Sequence, residues 1–315
     1  MKIVVLDAAS LGEDVDLSPI LNLGEATVYE HVTPEQAPEI VADAEVIVYN
    51  KTKLTAQVLE QAKKLKLACV TATGFDTVDT GYCREHGIGV CNVPGYSTDS
   101  VAQVTVALAL DLATHLRDYR NFVHSGAYSA GNVANKLSPC WNELTGKTWG
   151  IVGGGNIGNR VAKIAQALGC RVIMYRRNPD PEFETVELNT LCEKSDIVSI
   201  HLALNDQTRG MVGEDQIHRM KKNAIVINVA RGAITDEEAL ACAIEEEHIG
   251  ALGVDVYSAE PFGKDHPFSR ILDRDNVCLT PHMAWGSIEA RNRCIEKVAE
   301  NIAAFYRGES LNRVD

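Results

Sequence analysis

Along this chain, short apolar runs alternate with segments whose apolar residues recur at helical spacing. A short apolar run bounded by turn residues reads as a buried strand, and apolar residues three and four apart read as one face of a helix. The pattern predicts strands at Lys2–Leu6, Ala26–Tyr29, Val46–Tyr49, Leu67–Val70 and Val90–Val93, with helices near Pro34–Ala44, Ala56–Ala62 and Val78–His86. A long helix is predicted over Thr98–Leu116, with Thr98 or Ser100 as its cap. Residues 120–145 show no clear period, and such a length is uncommon for a plain connection, so a protruding arm is expected there. Strands resume at Thr148–Val152, Arg171–Tyr175, Ile197–Leu202, Ala224–Asn228, Ala251–Val256 and Val277–Leu279, before a last helix over Ser287–Tyr306. Regular alternation of strand and helix builds parallel sheets covered on both faces. The fold class is therefore α/β.

One turn carries more than its share of information. The strand Thr148–Val152 runs into Gly153, Gly155 and Gly158 at G-x-G-x-x-G spacing, and a helical pattern follows through Asn159–Gly169. Strand, glycine turn and helix in that order bind a dinucleotide pyrophosphate: one glycine for the turn, one for close approach of phosphate, one for helix–strand packing. The phosphates then meet the N–H groups of the helix N-terminus. In binders of NAD an acidic residue closes the second strand and holds the ribose 2′-OH. Here Arg171–Tyr175 is followed by Arg176 and Arg177, with no acid at the strand end. Guanidinium suits a 2′-phosphate, so NADP is favoured over NAD. Asp180, beyond Pro179, is expected to lie too far along the turn to take part.

Bulk properties narrow the class. A chain of 315 residues allows two domains. The expected division is 1–98 plus 287–315, a discontinuous domain closed by the last helix, and 99–286, each a Rossmann-like doubly wound parallel sheet. A net charge of −13 argues against nucleic acid. No apolar run is long enough to span a bilayer, and the N-terminal run is too short for a signal peptide core. Nine scattered cysteines without a C-x-x-C pair read as reduced thiols in a cytoplasmic protein, with neither a disulfide frame nor a metal site.

Three later segments each place one functional group just past a strand of the dinucleotide domain: Arg231 after Ile225–Asn228, Asp255 and Glu260 around Gly253–Pro261, and His282 after Cys278–Pro281. Strand C-terminal ends are where open α/β sheets bind ligands. The set suffices for carbonyl reduction. An Arg clamps a carboxylate. A His donates a proton to the incipient alkoxide, and a Glu beside it fixes the tautomer and favours the protonated ring. The hydride is the cofactor's own chemistry.

Over almost its whole length the chain resembles the D-isomer-specific 2-hydroxyacid dehydrogenases. The matching pieces are Thr73-Gly74-Phe75-Asp76 with Val78-Asp79, Asn92–Ser97, the Gly153–Gly158 turn, Asn228–Gly232, Asp255-Val256 with Glu260-Pro261, His266-Pro267, and Pro281-His282. The resemblance implies that Arg231 binds the substrate carboxylate and carbonyl, that Glu260 and His282 form the acid–base pair, and that Asp255 contacts the nicotinamide carboxamide. It implies that backbone amides around Thr73 and Gly74 hold the carboxylate, in a cleft between the two domains. It also implies that the 120–145 arm forms a homodimer. Thr105, Asn156, Ile157, Tyr175, His201 and Ala230 join the glycines and arginines as candidate cofactor contacts. Within the family, Gly95–Gln103, Asn50-Lys51-Thr52 and His282–Trp285 are similar to the glycerate dehydrogenase (hydroxypyruvate reductase) branch. Lys51 and Trp285 are thus candidate substrate contacts, although Trp285 reads equally well as a packing residue. Two departures from the family pattern stand out: Ala203 where a Pro is common, and the missing acid after the second strand.

The expected activity is reduction of a small 2-oxo acid, hydroxypyruvate or glyoxylate, to D-glycerate or glycolate. One rival is a 3-phosphoglycerate dehydrogenase, with Lys51 and Lys53 as the extra cations; the end of the chain at Asp315 leaves no room for an appended regulatory domain. Another is a dinucleotide-sensing binding protein without turnover, against which the intact Arg–Glu–His set argues.

Overall fold

Five runs in the first part of the chain pair side by side, all parallel, in the order β2-β1-β3-β4-β5: β1 (Lys2–Val5), β2 (Glu25–Val28), β3 (Val46–Tyr49), β4 (Leu67–Val70) and β5 (Gly89–Cys91). The computed structural model describes all 315 residues. Every residue of β3 and β4 is buried, which is why these strands read as unbroken apolar runs. Successive side chains alternate between two faces. Ile3, Val5, Val46 and Val48 pack with Ala290, Cys294, Ile295, Val298 and Ile302 of the Ile288–Tyr306 helix. Val4, Leu6, Ile47 and Tyr49 pack on the other side with Val41, Val58 and Leu59. The last helix begins where the Ser287 hydroxyl accepts the Ala290 N–H at 3.2 Å, a side-chain cap. It belongs to the same compact unit as the first sheet, Met1–Ser97 with Trp285–Asp315.

The second unit, Thr98–Ala284, is built on seven parallel strands in the order β12-β11-β10-β9-β6-β7-β8. These are β6 (Thr148–Val152), β7 (Arg171–Tyr175), β8 (Glu184–Thr185), β9 (Ile197–Ile200), β10 (Ile225–Asn228), β11 (Ala251–Val254) and β12 (Val277–Leu279). The order turns back at β6, flanked by β7 on one side and β9 on the other, and this switch point is where the glycine turn leaves the sheet. Trp149 in β6 is fully buried, and its indole N–H donates to Ser199 Oγ at 2.9 Å, so the largest core side chain has its polar atom satisfied.

The unit boundaries lie one and two residues from those expected, placing Thr98 with the second unit and Trp285 with the first. The helix predicted over Thr98–Leu116 stops at Thr114, because His115 turns left-handed at φ 53. A new helix, Leu116–His124, then runs into the region expected to be an irregular arm, followed by a short one at Ala127–Ala130. Neither buries a residue, so no core contact wrote a period into the sequence there.

Candidate active site

The glycine turn is shaped by contacts that only glycine permits. Gly153 has φ +108, and a Cβ there would lie 2.8 Å from the carbonyl carbon of His201. A Cβ on Gly158 would lie 1.9 Å from the Gly153 carbonyl oxygen, so the helix packs on the turn itself. At Gly155 no atom of the chain lies within 4 Å of the Cβ position. Gly155 is the N-cap of the Asn156–Ala167 helix and offers no side-chain cap. The helix thus presents unsatisfied N–H groups beside an open cradle, the environment that a pyrophosphate fits. Gly155 and Asn156 are exposed there and Ile157 is half-buried.

The turn after β7 holds a correction. Asp180 is not remote from the strand end. Its Oδ2 pairs with Arg176 Nη1, while its Oδ1 accepts the N–H groups of Glu182 at 2.9 Å and Phe183 at 3.2 Å. Pro179 bends the turn so that the acid folds back on the strand end, and the Asp180 side chain is only 8% exposed. Arg176 lies over the glycine turn, its Cδ 2.9 Å from where a Cβ on Gly154 would stand. Arg177 beside it is exposed. With Tyr175, Asp180, Phe183 and Val186, the two arginines line an open cavity of about 570 Å³.

Other candidate cofactor contacts fare differently. Thr105 is fully buried and donates its hydroxyl to the Val101 carbonyl at 2.8 Å, so the structure does not bring it to the turn's open side. His201 sets Nε2 2.9 Å from Ser199 Oγ, while its Nδ1 is buried without a partner. Burial pushes its pKa down to about 3. Ala230 is held by its N–H to Asn228 Oδ1 at 3.0 Å, and its carbonyl accepts Arg231 Nη1 at 2.9 Å.

Arg231, Glu260 and His282 all lie in the second unit, past β10, β11 and β12 in turn, and the last two meet. Asn228 at the end of β10 donates Nδ2 to the Arg231 carbonyl at 2.9 Å. Glu260 Oε1 accepts the Tyr257 N–H at 3.1 Å, and its Oε2 lies 2.7 Å from His282 Nδ1. With Nδ1 as the donor to Glu260, the ring is held in one orientation and one tautomer. Both side chains remain partly open, 23% exposed for His282 and 27% for Glu260.

The carboxylate of Asp255, 1% exposed, is spent on the loop that bears His282. Its Oδ1 accepts the Thr280 hydroxyl at 2.6 Å and the Met283 N–H at 2.9 Å, and Oδ2 accepts the Ala284 N–H at 2.9 Å. His282 itself is left-handed at φ 54, a conformation these bonds on either side hold in place.

Three residues not foreseen as a group brace the Glu260 loop from below. Glu237 accepts the Ser258 N–H at 2.8 Å and the Ser258 hydroxyl, and its Oε2 lies 3.0 Å from His266 Nε2. Glu237 and His266 are 8% and 6% exposed. The His266-Pro267 dipeptide had marked the segment in the sequence; nothing local marked Glu237 as its partner 29 residues earlier.

In the first unit, Thr73 donates its hydroxyl to the Val93 carbonyl at 2.9 Å, and its own carbonyl accepts Asn92 Nδ2 at 2.7 Å. Thr73 and Gly74 thus sit on a pinned turn after β4. Lys51 follows β3 and is exposed. Trp285 is half-buried, edge-on to Tyr96 with ring centres 6.3 Å apart, and packs on the first unit's core.

Residues 106–284 match the model of the D-isomer specific 2-hydroxyacid dehydrogenase NAD binding domain. Over its full length the chain is 34% identical to a hydroxypyruvate reductase of Blautia hydrogenotrophica, with 100% of both chains covered. It is 35% identical to a glycerate dehydrogenase of Methylorubrum extorquens, covering 100% of this chain and 99% of that one. A crystal structure of a D-lactate dehydrogenase from Aquifex aeolicus, complexed with NAD and lactic acid, superposes with a TM-score of 0.88 at 28% identity, over 98% of this chain and 96% of that one. The glycine cradle and the Arg–Glu–His set therefore stand in a chain that belongs to the D-isomer-specific 2-hydroxyacid dehydrogenases, NAD(P)-dependent oxidoreductases acting on the CH–OH group of 2-hydroxy acids.

Proposed function

We propose that this enzyme reduces hydroxypyruvate, and glyoxylate beside it, to D-glycerate and glycolate with NADPH preferred over NADH. The observation that carries the chemistry is the 2.7 Å contact of His282 Nδ1 with Glu260, at the mouth of the sheet that also presents Arg231. The names of the relatives similar over the whole chain, hydroxypyruvate reductase and glycerate dehydrogenase, support the substrate. A reduced nicotinamide dinucleotide, held by its pyrophosphate at the Gly153–Gly158 cradle, would supply the hydride. Arg231 holds the substrate carboxylate and polarises the carbonyl. His282 gives the proton on Nε2 to the carbonyl oxygen as it becomes an alkoxide. Glu260 holds the ring's orientation and stabilises it while charged. Asp255 keeps the 280–284 loop, and so His282, in place. Thr73, Gly74, Lys51 and Trp285 are the first unit's candidate substrate contacts.

The preference for NADPH rests on Arg176 and Arg177 at the end of β7. Asp180 offsets part of the Arg176 charge, so the preference is moderate. The arm supports a homodimer: Val123, Tyr128, Val133, Leu137 and Trp141 are all exposed large apolar residues within it, and a run of this kind suits an interaction surface. Nine free cysteines fit a reducing, cytoplasmic setting. The test is the initial rate of NADPH and of NADH oxidation with hydroxypyruvate, glyoxylate and pyruvate. Turnover highest with hydroxypyruvate and NADPH is expected. Turnover below about 0.01 per second with all three, against the usual range of enzymes, would remove the substrate assignment.

A further inference from the structure

The first sheet turns back on itself at β1, which has β2 on one side and β3 on the other. Open parallel sheets take ligands at such a switch point, outside the strand C-termini. Asp7 stands there, just past β1, in the left-handed conformation with φ 60 and ψ 34. Asp enters this region more readily than most residues, but a non-glycine residue remains there only when its surroundings hold it. What holds it is the loop after β3. Asp7 Oδ2 accepts the N–H groups of Thr52 at 2.7 Å and Lys51 at 3.1 Å, with Asn50 farther at 3.4 Å. Its Oδ1 accepts the Thr52 hydroxyl at 2.6 Å. Successive amides turned to one point form a nest for an anion, and here the chain's own carboxylate, 8% exposed, fills it.

The order continues along the sheet edge. Asn50 Nδ2 donates to the Thr71 carbonyl at 3.1 Å and to its Oγ1 at 2.8 Å. Two residues on, Thr73 is tied to Asn92 and Val93 past β5. The C-terminal ends of β1, β3, β4 and β5 are thus joined in one polar chain that starts at Asp7. Because the loop's amides are turned to Asp7, recognition by this loop falls to the Lys51 side chain.

We propose that Asp7 is a positioning residue for substrate recognition: it fixes the 50–52 loop, and through Asn50 the Thr71–Gly74 turn, so that this edge meets the carboxylate end of a small 2-oxo acid. The inference rests on the substrate reading given above. Asp7→Gly keeps the left-handed backbone and removes the carboxylate; Asp7→Asn keeps both the backbone and an acceptor for the amides, and a donor for Thr52. The expected result is a KM for hydroxypyruvate raised about tenfold in Asp7→Gly, with the KM for NADPH within about twofold and Asp7→Asn near the parent enzyme. A hydroxypyruvate KM unchanged in folded Asp7→Gly overturns the proposal, as does an equal rise in both KM values. Should Asp7→Gly not fold, Thr52→Val removes one of the bonds, and the same split in KM decides. Lys51→Met separates the two readings. A raised KM in Lys51→Met beside a normal one in Asp7→Gly keeps the substrate role of the loop and overturns its positioning by Asp7. A normal KM in Lys51→Met beside a raised one in Asp7→Gly removes Lys51 from the site and supports the positioning.

Discussion

Gly232 and Tyr257 meet backbone to backbone: a Cβ on Gly232 would lie 2.1 Å from the Tyr257 carbonyl carbon and 2.2 Å from the Ser258 nitrogen. Gly232 follows Arg231, and the Tyr257 N–H binds Glu260, which binds His282. One close approach therefore sets the spacing of the Arg231 segment against the segment that carries Glu260. Gly232→Ala must push the two segments apart. Displacement of catalytic groups by about 1 Å costs on the order of 100-fold in rate, so kcat/KM is expected to fall by about that factor with NADPH affinity nearly unchanged. Steady-state kinetics beside a binding titration checks it; an alanine enzyme of normal activity would show that the contact does not set the site.

In the proposed mechanism Glu260 and His282 act as a unit. His282→Ala is expected to lower kcat about 100-fold or more through loss of the proton donor. Glu260→Gln keeps an acceptor for the Tyr257 N–H but removes the charge that stabilises the protonated ring, and a fall in kcat is expected there also. Residues that act together are not additive, so the double variant should be little slower than His282→Ala alone. Losses that multiply in the double variant would separate the two roles.

Arg176 and Asp180 should move cofactor preference in opposite directions. Arg176→Asp replaces the cation at the end of β7 with the acid that suits a ribose hydroxyl, and the NADPH-to-NADH ratio of kcat/KM should drop about tenfold. Asp180→Asn keeps an acceptor for the Glu182 and Phe183 amides but releases the Arg176 charge, so the ratio should rise. A ratio unmoved by Arg176→Asp would show the basic turn to be idle.

What was legible in the sequence divides by range. β3, β4 and β12 have the predicted boundaries because their residues are bounded by clear turns and their apolar runs are continuous. The Gly153–Gly158 turn was readable because its three glycines answer local demands, φ at Gly153 and packing at Gly158. The positions of Arg231, Glu260 and His282 at strand ends followed from the same logic. The parts that did not show are contacts between distant segments. Asp7 reaches a loop 43 to 45 residues away, and Glu237 reaches Ser258 and His266 across 21 and 29 residues. A lone acid after a strand or at the start of a helix carries no mark of such a partner. The Asp180–Arg176 pair did not show for the opposite reason: it is local, and depends on the turn after β7 doubling back.

The arm offers a test of assembly. Val133 and Leu137 are 68% and 75% exposed, more than any other large apolar residues. In a homodimer joined through this arm, Val133→Asp with Leu137→Asp would place charges in an apolar interface and convert the dimer to a monomer, leaving each unit folded. Sedimentation velocity of the parent and the variant reads this directly. A parent that sediments as a monomer, or a variant that stays dimeric, would place the contact elsewhere.

Stability should weaken with acid in a window set by His201. Burial lowers its pKa from 6.5 to about 3 in the folded chain. Between those values the unfolded chain binds a proton that the folded chain excludes, so the neutral ring's contribution is complete above about 6.5, declines as pH falls, and levels off below about 3. Asp196 acts in a lower window. Burial raises its pKa, but the Thr148 N–H and Lys221 bring it below 3.8, so its contribution is present above that value and lost only as pH falls through the lower folded one. The decline from about 6.5 to about 4.5 therefore belongs chiefly to His201, and the difference is on the order of a few kcal/mol. Urea midpoints at about pH 7.5 and about pH 4.5 for the parent and for His201→Asn measure it. The parent should lose more between the two than the variant; equal losses would show that the ring takes up its proton without leaving the fold.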